Sequence, residues 1–207
     1  FFLFDHHPND INIDIKYNIQ PPDEDFGDYS FIRQEIDIIN AKNIVPGYGV
    51  QLAYAQRYPS MIRYLFPDPV TVEGWKAYAI KMLIDEGFGN WEDEYHILKL
   101  KAEISVIVSA IVEFGYYNGE MKRETSMEYY KKMAFMNETE VEIIQMKSDL
   151  DYFSGTQSFI GLMEINSLLN EYKRKKKDDF ELSEFHSFIL EEGIIPLFEL
   201  KKRVIYP

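Results

Sequence analysis

From Tyr29 to near the C-terminus, apolar residues recur at the spacing of an α-helix. The earlier stretch 11–19, INIDIKYNI, instead alternates apolar and polar residues and therefore predicts a half-buried strand. The segment between them, 20–28, has the composition of a loop. We therefore expect a mainly α fold in one domain. An extended or β segment, 1–28, would pack on a helical body, 29–207.

Local signals divide the helical body into separate helices. Asn137 followed by Glu140 is typical of a capping box at a helix start. The run KRKKK (173–177) suits a helix C-terminus, where cations interact favourably with the helix dipole. A Pro46–Gly47 pair interrupts two helical patterns. Helices are expected at 29–44, 47–57, 59–65, 70–86, 91–117, 124–135, 137–150, 155–175, 182–191 and 196–204.

Composition excludes several classes of function. The net charge of −13 over 207 residues disfavours binding to nucleic acid or to an anionic membrane surface. There is no cysteine, which excludes disulfides and thiolate metal sites. The longest uncharged apolar run, 104–112, is far shorter than the roughly 20 residues of a membrane span. We expect a soluble acidic protein with no visible signal peptide, and its compartment stays open. Because Phe1 is not an initiator methionine, we interpret the chain as a processed product, a trimmed sequence or a fragment.

Residue types alone indicate little chemistry. The segment DHHPND (5–10) places His6 and His7 near two aspartates, which could bind a borderline metal ion. Adjacent residues of an extended segment point to opposite faces, so an ordinary polar loop is the favoured interpretation. No GxSxG nucleophile motif and no glycine-rich phosphate loop is present.

Five segments, taken in order, carry a resemblance. They are VPGYGVQLAYAQ (45–56), VEGWKAYA (72–79), SVIVSAIVEFGYY (105–117), FIGLMEI (159–165) and FELSEFHSFILEEGIIPLFELKKRV (180–204). Together they resemble a bacterial family of unknown function with the motifs HExxPGHHxQ, EGWALYAE, RAVRLxxDTGLH, PGQALAYKIG and FHDxLLxxGxLPLxxLE. That family is similar to zinc peptidases of the thermolysin and neurolysin type. The resemblance implies a mainly helical fold with a small sheet, and this chain is similar to the family's C-terminal half.

The resemblance also implies that the metal site is lost. Lys42 and Asn43 stand where the family has its His-Glu pair, and Tyr48 stands at one of the two following histidines. An ammonium group has no lone pair for a metal, and an asparagine cannot act as a general base. Glu73 is retained as the remaining ligand equivalent, whereas Ile80 replaces the second glutamate. An alternative is that Lys42 fills the emptied metal position and pairs with Glu73.

The remaining motifs follow the same pattern. On the long helix, Val106 and Ser109 replace arginines, Glu113 replaces an aspartate and Tyr117 replaces a histidine. Ser158 and Phe159 replace a Tyr-Lys pair. Trp75 and Tyr78 could line a cleft, but at helical spacing we favour core positions. The scaffold residues that survive are Pro46, Gly47, Gln51, Gly74, Trp75, Tyr78, Gly115, Gly161, Phe185, His186 and Pro196.

These substitutions predict a degenerate, non-catalytic zinc-peptidase-like domain that needs no cofactor. It would act through protein or peptide binding, with the missing N-terminal half or another subunit as its protein partner. Two alternatives stay open. One is a metallohydrolase with a rearranged zinc site that uses Glu73, Glu113 and histidines, either His6 and His7 or histidines of the missing half. The other is a purely structural subunit of an assembly.

Overall fold

The computed structural model describes residues 2–4, 15–17, 32–57 and 61–205. Two short strands, β1 (Phe2–Phe4) and β2 (Ile15–Tyr17), pair antiparallel, with Phe2 opposite Tyr17 and Phe4 opposite Ile15. This three-residue ladder is too short to establish the predicted N-terminal β element, most of which lies outside the described residues. The predicted packing of 1–28 on the helical body lies there too.

The prediction of a mainly α fold is confirmed. The helices are α1 (Arg33–Asn43), α2 (Tyr48–Arg57), α3 (Met61–Leu65), α4 (Pro69–Asp85), α5 (Asp93–Tyr117), α6 (Arg123–Met133), α7 (Glu138–Leu150), α8 (Ser154–Lys176), α9 (Leu182–Glu191) and α10 (Leu197–Ile205). A 3-10 turn, Lys177–Asp179, follows α8. The largest difference from prediction is at α1, which was expected from residue 29. It begins at Arg33 because Ile32 has an extended backbone, with φ −76° and ψ 155°.

Two helices begin with strong side-chain caps, one of which the sequence predicts. Asn137 Oδ1 accepts a hydrogen bond from Glu140 N at 2.9 Å, and Glu140 Oε2 accepts one from Asn137 N at 2.8 Å, which confirms the predicted capping box. Helix α4 has a second strong cap, because Asp68 Oδ2 accepts from Thr71 N at 2.8 Å and Pro69 occupies the first helical position. These caps fix the starts of the helices that border the candidate site.

Helices α4 and α8 cross in direct backbone contact. A methyl group on Gly74 would lie 2.5 Å from the Cα of Gly161, and one on Gly161 would lie 2.2 Å from the carbonyl oxygen of Val70. Only glycine fits at either position, since no Cβ atom can approach backbone atoms this closely. The crossing brings the side chains of α4 and α8 together on both sides of the contact.

The main apolar core lies between α4, α8, α9 and α10. Trp75 is 1% exposed, and Phe185 and Ile165 are completely buried in the same cluster. Tyr78 belongs to it as well, so the interpretation of Trp75 and Tyr78 as core residues is confirmed. A second cluster joins α5, α6 and α7 around Val112. Within the described chain, no helix is both long and apolar enough to cross a membrane.

Candidate functional site

The Pro46–Gly47 interruption forms a tight turn between α1 and α2. The Val45–Pro46 peptide bond is cis, and a methyl group on Gly47 would lie 1.9 Å from the carbonyl oxygen of Lys42. The indole nitrogen of Trp75 donates a hydrogen bond to the Pro46 carbonyl oxygen at 3.0 Å. The turn therefore holds the end of α1 and the start of α2 against α4.

Glu73 on α4 is the centre of a group of lysines. It is 7% exposed, and its Oε1 lies 2.5 Å from Lys76 Nζ. Its Oε2 lies 3.6 Å from Lys147 Nζ and accepts a hydrogen bond from Ser158 Oγ at 3.3 Å. Burial by itself raises the pKa of Glu73. The positive charges of Lys76, Lys147 and Lys42 lower that pKa by a larger amount, so the pKa of Glu73 lies below its ordinary value. Glu73 is therefore a carboxylate held by ammonium groups.

Lys42, at the end of α1, faces the same region without a direct counter-ion. Burial, then the charges of Lys147 and Lys76, lower its pKa to about 8, while Glu73 acts to raise it. In the part of the chain that the structure describes, Lys42 makes no ion pair. The direct Lys42–Glu73 pair considered from the sequence is thus not present. Lys76 and Lys147 are the partners of Glu73, because they approach it from its own helix and from α7.

A cavity of about 160 Å³ lies beside this lysine group, between α4, α5 and α8, with α1 and α7 at its edge. Its walls contain residues that are far apart in sequence and that differ from the family motifs at the same positions. These are Lys42, Ile80, Val106, Ser109, Glu113 and Ser158. We call this space the lysine cavity, because Lys81, Lys99 and Lys147 line it together with Lys42.

Glu113 has a structural partner in the wall of the lysine cavity. Its carboxylate accepts hydrogen bonds from Gly155 N at 2.9 Å, from Thr156 N at 2.8 Å and from Thr156 Oγ1 at 2.9 Å. The residue before α8, Phe153, provides no side-chain cap. Glu113 on α5 therefore caps the N-terminus of α8, where backbone N–H groups favour a negative charge.

Several predicted site residues lie elsewhere. Gln51 Nε2 donates to the Thr71 carbonyl oxygen at 3.2 Å, which ties α2 to α4. The Tyr117 hydroxyl donates to the Ser148 carbonyl oxygen at 3.0 Å, away from the cavity lining. Tyr48 lies beside the glutamate, with Lys76 Nζ 5.8 Å from its ring centroid. These side chains support the scaffold around the cavity rather than line it.

The remaining candidates do not join the site either. The Tyr78 hydroxyl and His186 Nε2 are 2.9 Å apart and hydrogen-bonded within the main core. Asn43 ends α1 but does not line the lysine cavity. His6 and His7 lie outside the described residues. Among the residues that are described, no group of three or more His, Asp or Glu side chains is arranged to hold a metal ion.

Sequence reasoning missed four lysines at the site. Lys76 follows Glu73 by three positions on a helix, a spacing that places both side chains on one face and could have predicted the contact. Lys147 had no such signal, because α7 carries none of the five motif segments. Lys81 and Lys99 were missed as well, although they share Asp85 as an ion-pair partner and Lys81 precedes Asp85 by four positions on one helix.

Comparison with known proteins decides the family. A family model described as "Bacterial protein of unknown function (DUF885)" matches residues 14–204. The chain belongs to this family. No curated protein matches the DUF885 chain. The predicted resemblance to a bacterial family of unknown function is thereby confirmed, while the zinc-peptidase character of its motifs stays a prediction.

Two solved structures are similar to the DUF885 chain. One is a proposed lipoprotein of unknown function from Shewanella oneidensis, with 27% sequence identity and a TM-score of 0.82. The match covers 98% of this chain and 38% of that protein. The other, a proposed lipoprotein from Colwellia psychrerythraea, has 22% identity and a TM-score of 0.77, and the match covers 84% of this chain and 30% of that one. The chain therefore corresponds to well under half of each protein.

Proposed function

We propose that this DUF885 chain is a non-catalytic domain on a zinc-peptidase-like helical scaffold and that it acts through protein or peptide binding. The main support for the proposal is that the Glu73 carboxylate forms ion pairs with the ammonium groups of Lys76 and Lys147. A zinc ion in a hydrolase requires three protein ligands and an activated water. A divalent cation at Glu73 would instead meet two positive charges.

The donor set around Glu73 does not fit zinc. Lys42 stands where the resemblance places a histidine ligand, and a protonated amine has no lone pair to donate. Ser158, the other contact of Glu73, donates its hydroxyl hydrogen to the carboxylate. Asn43, at the position of the general base, cannot accept a proton from water. We therefore derive no hydrolytic step through a metal at this position.

An exposed apolar face supports a protein partner. Ile107, Ile111 and Phe114 follow one another along α5 at helical spacing, and Phe114 is 66% exposed. Ile111 and Phe114 line a groove of about 720 Å³ together with Ile160 on α8. Contiguous exposed apolar surface of this kind marks an interaction site. Since the chain spans 38% of the length of the Shewanella oneidensis protein, we infer that the partner is another part of a longer DUF885 polypeptide.

Metal content tests the loss of catalysis. The purified chain is dialysed against zinc without chelator, and bound zinc is measured by elemental mass spectrometry beside the Glu73→Gln variant. We expect the same background zinc in both proteins and no peptide hydrolysis by either. Near-stoichiometric zinc that disappears in Glu73→Gln would overturn the proposal. A His6→Ala/His7→Ala double variant shows whether those histidines supply ligands.

Site-specific cross-linking tests the partner. A photo-reactive amino acid replaces Phe114 in the protein expressed in its native host, and cross-linked peptides are identified by mass spectrometry. Lys132, which is exposed on α6, is the matched control position. We expect cross-links from position 114 to another segment of a DUF885 polypeptide and none from position 132. Equal labelling from both positions, or cross-links to unrelated proteins, would contradict the inferred partner.

A further inference from the structure

The lysine cavity is positively charged within an acidic protein. Four lysines line it, Lys42, Lys81, Lys99 and Lys147, against two carboxylates, Glu103 and Glu113. The chain as a whole has a net charge of −13. A local excess of positive charge in a concave, partly enclosed site raises the local concentration of anions. The charge of the cavity therefore favours an anionic ligand.

Most of these charges already have partners inside the protein. Lys99 Nζ lies 2.7 Å from Asp85 Oδ1, and Lys81 pairs with the same carboxylate. Lys147 pairs with Glu73 at 3.6 Å. Glu113 is occupied by the backbone N–H groups at the start of α8. Within the described residues, Lys42 and Glu103 are the charged lining residues that make no ion pair, so Lys42 is the positive charge left for a ligand.

The rest of the lining determines what kind of anion fits. Ile80, Val106, Ile144 and Leu162 supply apolar walls. The volume of about 160 Å³ is below the roughly 300–1,000 Å³ of pockets for drug-sized ligands, which favours a small molecule. Ligand sites of this type combine apolar walls with a few polar groups that fix orientation. A compact inorganic anion would leave the apolar walls unused.

We propose that the lysine cavity binds a small organic carboxylate, with Lys42 as its counter-ion and Ile80, Val106 and Leu162 in contact with its apolar body. Charge-assisted hydrogen bonds between an ammonium group and a carboxylate are among the stronger polar contacts. Lys147, at the same edge of the cavity, shares the Glu73 carboxylate with Lys76, so this group of three side chains keeps one net positive charge. The inference rests on the proposed function, since a metal at Glu73 would occupy the same region.

Benzoate is the probe, because it combines a carboxylate with a compact apolar ring. The purified chain, kept in EDTA, is titrated with benzoate, and the amide resonances of the wall residues are followed by NMR. Benzamide, the neutral analogue, and inorganic phosphate are titrated in parallel. We expect saturable binding of benzoate, with an affinity at least about tenfold higher than for either control compound.

Two variants and one control test the assignment of residues. Lys42→Met removes the counter-ion, and Val106→Phe fills the apolar part while leaving Lys42 in place. Both variants are expected to bind benzoate at least about tenfold more weakly. Lys132→Met, at a 74% exposed side chain outside the cavity, is expected to bind as the unaltered chain does. NMR spectra of each variant report whether the fold is retained.

The outcomes separate the two proposals. Unchanged benzoate affinity in Lys42→Met, or equal binding of benzoate and benzamide, would overturn the carboxylate site and leave the non-catalytic function standing. Benzoate binding that appears only after zinc is added, and disappears in Glu73→Gln, would overturn the non-catalytic function itself. Saturable binding in EDTA that depends on Lys42 and Val106 supports both.

Discussion

The two faces of α4 have opposite characters. One face carries Trp75 and Tyr78, which are 1% and 3% exposed and pack in the main core. The other carries Glu73, which pairs with Lys76, and Ile80, which lines the lysine cavity. Both faces belong to the same helix, and both depend on the same contact of α4 with α8. The faces differ in how completely the polar groups around them are paired by hydrogen bonds or ion pairs within the protein.

On the core face, polar atoms are satisfied within the protein. The indole nitrogen of Trp75 donates to Pro46, and the Tyr78 hydroxyl bonds to His186. On the cavity side, Lys42 faces this region from α1 and is left without an ion pair among the described residues, and burial lowers its pKa to about 8. A charge in that position destabilises the folded protein unless a ligand provides the counter-ion. The unpaired charge of Lys42 thus offsets part of the stability that the apolar residues of the cavity side contribute.

The largest expected loss of stability comes from a substitution that separates α4 from α8 and so disrupts both faces of α4. Gly161→Ala would place a methyl group 2.2 Å from the Val70 carbonyl oxygen and 2.5 Å from the Gly74 Cα. Because these are backbone atoms, the helices must separate, and we expect the free energy of unfolding to fall by about 4 kcal/mol or more. Urea denaturation followed by circular dichroism measures the change.

Gly115→Ala on α5 is the matched control for that substitution. The nearest atoms there belong to the Met121 side chain, at 3.3 Å, and can move. Alanine also has the higher helix propensity, so we expect a change within about 1 kcal/mol in either direction. Similar losses at positions 115 and 161 would contradict the importance of the α4–α8 contact.

Truncation of one side chain on each face tests the comparison directly. Trp75→Ala is expected to lower the free energy of unfolding by about 4 kcal/mol, because it opens a void in a filled core. Ile80→Ala is expected to lower it by only about 2 kcal/mol, because Ile80 already borders open space. The urea unfolding midpoints of the two variants measure the two losses, provided that the dependence of the unfolding free energy on urea concentration is unchanged. Equal losses would show that the cavity face is packed as well as the core.

Lys42→Met should change stability in the opposite direction. Protonation of Lys42 is less favourable in the folded chain than in the unfolded chain, because burial and the nearby lysines lower its pKa to about 8. Removing the charge should therefore raise the free energy of unfolding at pH 7 by about 2 kcal/mol. Thermal or urea unfolding of both proteins measures the difference.

The pH dependence of that difference is the check on its cause. As the pH rises above about 8, folded Lys42 loses its proton before the unfolded side chain does. The unaltered chain then gains stability relative to the variant, and the difference should shrink by pH 10. A constant advantage of Lys42→Met from pH 7 to pH 10 would show that the gain comes from packing and not from the charge.

The smallest expected effect concerns His186 on the core face. Burial lowers the pKa of His186 below its ordinary value. The unfolded chain therefore binds the proton more readily, and stability should fall as the pH drops below about 6.5. His186→Gln should remove this part of the pH dependence, at a loss of about 1 kcal/mol at neutral pH from the hydrogen bond with Tyr78. Unfolding midpoints at pH 5 and pH 7 measure both.

Local patterns were enough to predict most of the fold. The capping box at Asn137 and the interruption at Pro46–Gly47 are readable from neighbouring residues, because helix ends are set within a few positions. The assembly of the lysine cavity was not readable in this way. Ile80, Val106 and Ser158 were connected only by the order of the motifs, and their meeting depends on the glycine contact between α4 and α8.

Other parts of the site had no sequence signal at all. Lys147 reaches Glu73 from a helix 74 positions further along the chain, and nothing near either residue marks the contact. The cap that Glu113 provides could not be predicted from the sequence either, because the N–H groups that donate to it lie 42 and 43 positions later. Contacts of this kind are set by tertiary packing, which a periodic pattern does not contain.

The capping of α8 by Glu113 has a consequence for hydrogen exchange. The first amides of a helix usually exchange quickly with solvent, since the terminal turn opens independently of the rest. Here the amides of Gly155 and Thr156 are held by a carboxylate from α5, not from the loop that precedes α8. Their exchange requires α5 and α8 to separate. These two amides should therefore be protected as strongly as the middle of either helix and report the opening of the domain.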